Sequence, residues 1–310
     1  MQLIKPQSNF DFVTKNRIAV IVSVMVILAG IVSLVVKGGP AYGVDFSGGT
    51  LIQARFSTPI EAADIKDSLA GLGLGTLTVQ HIGEGTNEFL IRTQETDAKL
   101  TQLSQKIEQA LKAKAGDKQV DILRSEMVGP LVGKDLRTKG VLSLVYAVIG
   151  TLIYITWRFE YRFGIAAIVA LIHDVLVTLG MFSIFGKELD LTVVAAFLTI
   201  IGYSLNDTII IFDRIRENLG RNKHETFPET VNHSINETLS RTILTSGTTL
   251  LVVVALFLLG GDVIHNFAFA LLVGIVAGTY SSVFVAGALI LFWEKYRPSM
   301  ARRPLVAAVS

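Results

Sequence analysis

Leu189–Ile211 reads LDLTVVAAFLTIIGYSLNDTIII, an apolar run of membrane length with Asn206 and Asp207 close to its end. A helix crossing about 30 Å of hydrocarbon needs roughly 20 mostly apolar residues. Working outward, five further stretches meet that length: Ile18–Val36, Val141–Trp157, Phe163–Phe185, Ile243–Leu259 and Phe267–Trp293. Between the first two lies a polar segment, Lys37 to Lys139, and a charged connection covers Asp213–Ser240. The expected fold class is an α-helical polytopic membrane protein with six transmembrane helices. Its expected divisions are 1–36 (N-terminus and first span), 37–139 (a soluble domain between helices 1 and 2), 140–294 (a five-helix bundle) and 295–310 (a tail).

Composition agrees with this layout. The chain has 310 residues, 51% hydrophobic and 17% charged, against about 25% charged in ordinary soluble domains. Mean hydropathy is +0.54. These figures exclude a disordered chain, a disulfide-stapled secreted domain and most soluble enzymes. With 28 basic against 26 acidic residues, no polybasic surface points to nucleic acid. The absence of cysteine removes thiol catalysis and thiolate metal sites, and no metal or cofactor is expected.

The first span follows Lys5, Lys15 and Arg17, as a signal peptide's core would. Its apolar run exceeds the usual 7–15 residues of such a core, and no A-x-A site follows, so a retained anchor is expected. Placing the N-terminus inside puts fourteen Lys and Arg on inner segments and only Lys187 on the short outer loops. The positive-inside rule then sets both termini in the cytoplasm and the 37–139 domain outside.

That outer domain reads as alternating elements. Gly43–Phe56 (GVDFSGGTLIQARF) is expected as a strand bent at its SGG, and Pro59–Leu72 as a helix with Thr58–Pro59 at its start. Thr76–Ile82 and Glu88–Thr93 are β-type runs joined by GEGTN. Thr96–Ala115 has helical spacing, and Gln119–Arg124 alternates again. The order β-α-β-β-α-β is the ferredoxin-like pattern. No catalytic constellation sits in it, and SGG lacks the lysine of a phosphate loop, so the domain is read as a docking module.

Chemistry is expected inside the membrane, where an ionisable group costs about 2.5–3.5 kcal/mol at a helix centre and therefore marks function by default. Asn206 and Asp207 occupy the fourth span, and His173 and Asp174 the third. The fifth begins with Arg241, Thr245, Thr248 and Thr249 at helical spacing, one polar stripe. Structural alternatives stand beside each. Asp207 and Arg241 make an interhelical ion pair with no further role, or Arg241 snorkels to lipid headgroups. His173 and Asp174 serve packing hydrogen bonds or an accessory protonation role, and the threonines satisfy backbone carbonyls. Ala270, Gly274, Gly278, Ser282 and Ala286, at every fourth position, form a helix-packing face. Burial and a nearby guanidinium act oppositely on a carboxylate, which makes an Asp between them a candidate proton carrier. Charge moving down the membrane potential supplies about 2.3 kcal/mol per 100 mV.

VDFSGGT at Val44–Thr50, HD at His173–Asp174, IGYSLNDT at Ile201–Thr208 and RTILTSGTT at Arg241–Thr249 together resemble the SecD/SecF family of bacterial protein-export membrane proteins, in its smaller SecF-type branch. The resemblance covers about residues 10–295 and includes the one-plus-five span layout. It implies the resistance–nodulation–division superfamily, a ferredoxin-like periplasmic domain and a SecD partner. It also implies association with the SecYEG channel, with YajC and YidC, and with the translocating polypeptide. Ion translocation is implied at Asp207 and Arg241, with Asn206, Thr245, Asp174 and His173 as accessory polar groups. The function expected is an auxiliary, non-enzymatic translocase subunit using the proton or sodium motive force. A half-size proton-coupled exporter of small molecules and a non-transporting scaffold of the translocon are the alternatives.

Overall fold

The computed structural model describes residues 9–72, 74, 77–82, 87–93, 106–107, 109–112, 120–221 and 224–296. They fall into two compact units: Ala41–Leu142 with Glu188–Leu191, and the segments Met1–Pro40, Ser143–Lys187 and Thr192–Ser310. The chain opens with helix α1 (Asn16–Val36) and then enters the first of these units.

There a single helical turn, α2 (Val44–Ser47), precedes β1 (Gly49–Phe56). Helix α3 (Ala62–Leu69) runs on as a 3-10 turn, Ala70–Leu72, before β2 (Leu77–Ile82) and β3 (Glu88–Thr93). Residues 106–107 and 109–112 are helical, and β4 (Val120–Val128) completes the sheet. Strand order is β2-β3-β1-β4 and every pairing is antiparallel, which is the ferredoxin-like arrangement. Ile52 and Ala54 of β1, Phe89 and Ile91 of the neighbouring β3, Ile65 and Leu69 of α3, and Ile107 and Leu111 form one core between sheet and helices. The Glu188–Leu191 segment belongs to the same unit: Gly43 N donates to Leu189 O at 2.8 Å, Leu191 N to Asp45 Oδ2 at 3.0 Å, and Arg92 pairs with Glu188.

The expected strand Gly43–Phe56 is corrected here, since its first residues form α2. Gly48 (φ 73°, ψ 170°) and Gly49 (φ 121°) then redirect the chain through backbone open to glycine. A Cβ on Gly48 would lie 2.9 Å from Pro130 Cα, so SGG is also a point of close backbone approach. Pro59 lies ahead of the helix rather than in its first turn, because the N-cap is Glu61. Most of the expected Thr96–Ala115 helix lies outside the described residues.

Five more long helices follow: α4 (Pro130–Arg158), α5 (Tyr161–Ile184), α6 (Leu191–Arg221), α7 (Phe227–Leu259) and α8 (Asp262–Tyr296). With α1 these make six helices long and apolar enough to cross a membrane. Several exceed their apolar stretches because local signals extend them. Pro130 occupies the first position of α4, where its missing N–H costs nothing. At α7, Thr226 N donates to Glu229 Oε2 at 2.7 Å in a capping box, so the helix starts well before Ile243.

Packing relies on small residues. A Cβ on Gly30 of α1 would stand 2.6 Å from Gly180 Cα of α5, and Ser33 and Ser183 bond nearby at 2.8 Å. On α8, Ala270, Ser282 and Ala286 are buried, while Gly278 admits Ser204 of α6. The expected small-residue face is thus a helix contact. Ahead of α1, Phe10 and Phe12 N–H groups donate to Asn236 and Asn232 side chains of α7 at 2.8 and 2.9 Å. Hydrogen bonds from Thr14 and the charge of Lys15 hold the Asp11 carboxyl below its ordinary range.

Candidate ion-coupling site within the membrane helices

Helix α6 turns one face inward at helical intervals: Ile200, Ser204, Asp207, Thr208, Ile211 and Ile215 are buried on it. Asp207 is 2% exposed. Its carboxylate Oδ2 accepts from Ser246 Oγ of α7 at 3.3 Å, and Thr279 Oγ1 of α8 donates to Ser246 Oγ at 2.8 Å. A carboxylate, a relay of two hydroxyls and three helices thus meet in an apolar bundle.

Arg241, also on α7, makes no ion pair with that carboxylate although its charge reaches it. It is exposed and lines a cleft of about 310 Å³ with Arg158, Asp213, Glu217 and Glu237. Among the ion pairs of the described residues none joins it to Asp207. The polar stripe on α7 is therefore rephased. Thr245 is half-buried and Thr248 exposed, and their hydroxyls bond carbonyls of their own helix, Thr245 to Arg241 O and Thr242 O at 3.0 Å. Thr249 reaches α6 by accepting from Tyr203 Oη at 3.2 Å. The buried polar face is Thr238, Thr242 and Ser246. Thr242 Oγ1 has no hydrogen-bond partner among the described residues. Asn206 sits on the exposed side of α6, away from its neighbour Asp207.

His173 and Asp174 form a second centre on α5. Asp174 is wholly buried. Its Oδ1 lies 2.9 Å from His173 Nδ1, and its Oδ2 accepts from Ser204 Oγ at 2.5 Å and Ser281 Oγ at 2.8 Å. His173 Nε2 lies 3.1 Å from Ser23 Oγ of α1, and the ring stacks on Tyr280 of α8 at 6.2 Å between centroids. Sequence reasoning missed Ser23, Ser204, Tyr280, Ser281, Ser246 and Thr279. The readable signal was Thr279–Ser282, four polar-tipped residues inside an apolar span, which the small-residue pattern overlapped and hid. Among the described residues no cluster of three metal-ligating side chains occurs.

Fold and site together define a multi-span membrane protein with a ferredoxin-like domain and carboxylates buried among its helices. The model "Protein export membrane protein SecD/SecF, C-terminal" matches residues 106–296, and the "SecD/SecF GG Motif" matches residues 32–60. Protein translocase subunit SecF of Desulfurispirillum indicum is 47% identical over 91% of this chain and 91% of its own length. The SecF subunit of Vibrio alginolyticus is 43% identical, covering 94% of this chain and 91% of its own. The crystal structure of SecDF from Thermus thermophilus, a translocon-associated membrane protein, is 35% identical with a TM-score of 0.85 and covers 94% of this chain. A SecDF in a super-membrane-facing form is 36% identical with a TM-score of 0.68. This chain spans 40% of the length of each solved SecDF chain. The chain belongs to the SecD/SecF family of protein-export membrane proteins. It is a multi-pass inner-membrane protein.

Proposed function

We propose that this chain is the SecF-type subunit of the preprotein translocase and that, with a SecD partner, it uses a proton or sodium gradient to promote translocation through the SecYEG channel. In this reading 37–139 is periplasmic, both termini are cytoplasmic, and Asp207 carries the coupling ion. The observation that carries it is a carboxylate 2% exposed among three membrane helices, held by one serine hydroxyl and free of any ion pair among the described residues. Such a group is costly in an apolar bundle unless its charge is used. Arg241 acts in another state of the cycle, when movement of α6 against α7 brings it to the carboxylate. YajC and YidC are further proposed associates.

The test is export into membrane vesicles under an imposed proton or sodium gradient, with each variant at matched abundance. Asp207→Asn keeps shape and hydrogen bonding but cannot titrate. It leaves insertion and assembly normal and abolishes stimulation by the gradient. Full gradient dependence in Asp207→Asn would make the residue structural and favour the scaffold reading.

A further inference from the structure

The first turn of α1 and the last turn of α8 border a groove of about 830 Å³, a size within the range of small-molecule sites. Its walls are apolar, with Val20 and Ile21 from α1, Leu291 and Phe292 from α8, and Phe227 from α7. Ile21 and Phe292 are more than half exposed, so no described residue covers these walls. The charged groups gather at one level. Arg17 is the second residue of α1 and Lys295 the penultimate residue of α8. Trp293 packs on Tyr161 at that level, 5.6 Å between centroids, and Tyr296 is exposed there; tryptophan and tyrosine in such positions mark headgroup depth. Glu294 also lines the groove, but its Oε2 accepts from Arg162 Nη1 at 2.8 Å, which balances its charge. Arg17 and Lys295 have no ion pair among the described residues; Lys295 Nζ lies over the Tyr296 ring at 5.7 Å. Asn16 lines the groove as well. It is 7% exposed, and its Oδ1 is buried with no hydrogen-bond partner among the described residues, a costly state for an amide. Lys15, the N-cap of α1, makes no side-chain cap, and the first turn holds no acidic residue. The positive end of that helix therefore adds to the two cations.

We propose that this groove binds an anionic glycerophospholipid with a hydroxyl-bearing headgroup, of the phosphatidylglycerol class. Its phosphate pairs with Arg17 and Lys295, its headgroup hydroxyl meets the Asn16 amide, and one acyl chain lies along Val20, Ile21, Leu291 and Phe292. Guanidinium and ammonium groups form strong charge-assisted bonds to phosphate. An asparagine amide accepts from a hydroxyl and donates to a phosphate oxygen, and its terminal torsion is broad enough to turn either group toward the ligand. A choline or ethanolamine headgroup would set a cation of its own beside Arg17 and Lys295. The chain's own tail is a poor occupant for the same reason, since the sequence after Tyr296 carries Arg297, Arg302 and Arg303 and no acidic side chain. The bound lipid joins the first membrane helix to the last at one face of the bundle. The site does not rest on the coupling role proposed for Asp207.

The test reads lipid contact in the full chain, with its partner in phosphatidylcholine vesicles, by quenching of a single tryptophan. The chain has two tryptophans, so Trp157→Phe with Trp293→Phe gives a silent background. On it Phe292→Trp reports from the groove wall and Leu251→Trp from an exposed position on α7 outside the groove. The probes are brominated phosphatidylglycerol and brominated phosphatidylcholine at equal mole fraction. An interfacial cation raises the preference for an anionic lipid about fivefold, so brominated phosphatidylglycerol should be enriched at position 292 by at least that factor and not at 251. Arg17→Gln with Lys295→Gln removes the enrichment, whereas Arg17→Lys with Lys295→Arg keeps it. Brominated phosphatidylmethanol has the same charge and no headgroup hydroxyl; it is held more weakly than phosphatidylglycerol by the Asn16 chain and equally by Asn16→Leu. No enrichment at 292, or equal enrichment at 292 and 251, overturns the proposal, the second because it reports only diffuse surface charge. Survival of the enrichment in the double Gln variant overturns it too. So does a position 292 that no lipid quenches, which would show the groove filled by the partner or by the tail. Equal retention of phosphatidylmethanol and phosphatidylglycerol by the Asn16 chain would overturn the headgroup assignment.

Discussion

Ser246 and Thr245 are neighbours in sequence and opposite in what they touch. Ser246 Oγ gives Asp207 its one side-chain hydrogen bond among the described residues, whereas Thr245 bonds only carbonyls of its own helix. Removing a donor from a buried group costs about 1–3 kcal/mol. Ser246→Ala should therefore reduce gradient-driven export roughly tenfold or more at normal abundance. Thr245→Ala should change stability by less than about 0.5 kcal/mol and leave export at the wild-type rate. Equal losses in both, in the vesicle assay with thermal unfolding followed in parallel, would restore the stripe Arg241–Thr245–Thr248 as the functional face. Sequence spacing could not choose between them. Both sets recur at helical intervals, and a span apolar all round has no amphipathic contrast to say which face points inward. Asp207 was legible because a carboxylate in such a run is expensive wherever it faces; its serine donor was not, since serine is cheap on either side.

At the scale of elements, apolar runs located all six long helices but not their ends. Hydropathy marks hydrocarbon thickness, while a helix continues as far as its caps and charge pairs allow. Thus α6 runs past Ile211 to Arg221, where Glu217 pairs with Arg214 and Arg221 at 3.0 and 3.2 Å. The strands were legible from alternation, but the turn α2 was not, because a strand-like composition at Val44–Phe46 precedes glycines whose geometry only the fold reveals. Gly48 stands at φ 73° and ψ 170°, a region that costs other residues about 1–3 kcal/mol. Its missing Cβ also faces Pro130 Cα at 2.9 Å. Gly48→Ala is therefore expected to destabilise the chain by at least that amount, whereas Gly71→Ala, where a Cβ meets nothing within 4 Å, should be nearly neutral. Comparing thermal midpoints of the two purified variants checks this. Equal midpoints would mean that the SGG segment relaxes without strain.

For the whole molecule, orientation and partnership are read from what the helices expose. The chain has no cysteine, so single introduced cysteines report sidedness without background. Lys187→Cys should react with a membrane-impermeant maleimide added outside, and Arg221→Cys only after permeabilisation; the reverse pattern would invert the topology. Partnership rests on Asn206. Its side chain is exposed on a membrane-length helix, yet an amide facing hydrocarbon without a hydrogen bond costs several kcal/mol. Among the described residues nothing covers that side chain, and the solved SecDF relatives are longer chains of which this one spans 40%. The proposed SecD-type partner is what should cover it. Asn206→Leu removes the polar group but keeps the side chain's bulk, so insertion and intrinsic stability should hold within about 0.5 kcal/mol. Recovery of the partner from native membranes should fall severalfold, and gradient-driven export with it. Because Asp207 is buried in the bundle while Asn206 is exposed, this loss arises from assembly rather than titration, and overproducing the partner should restore export in Asn206→Leu but not in Asp207→Asn. Undiminished partner recovery from Asn206→Leu membranes would show that the exposed face of α6 meets lipid, and the interface would have to be sought on another helix.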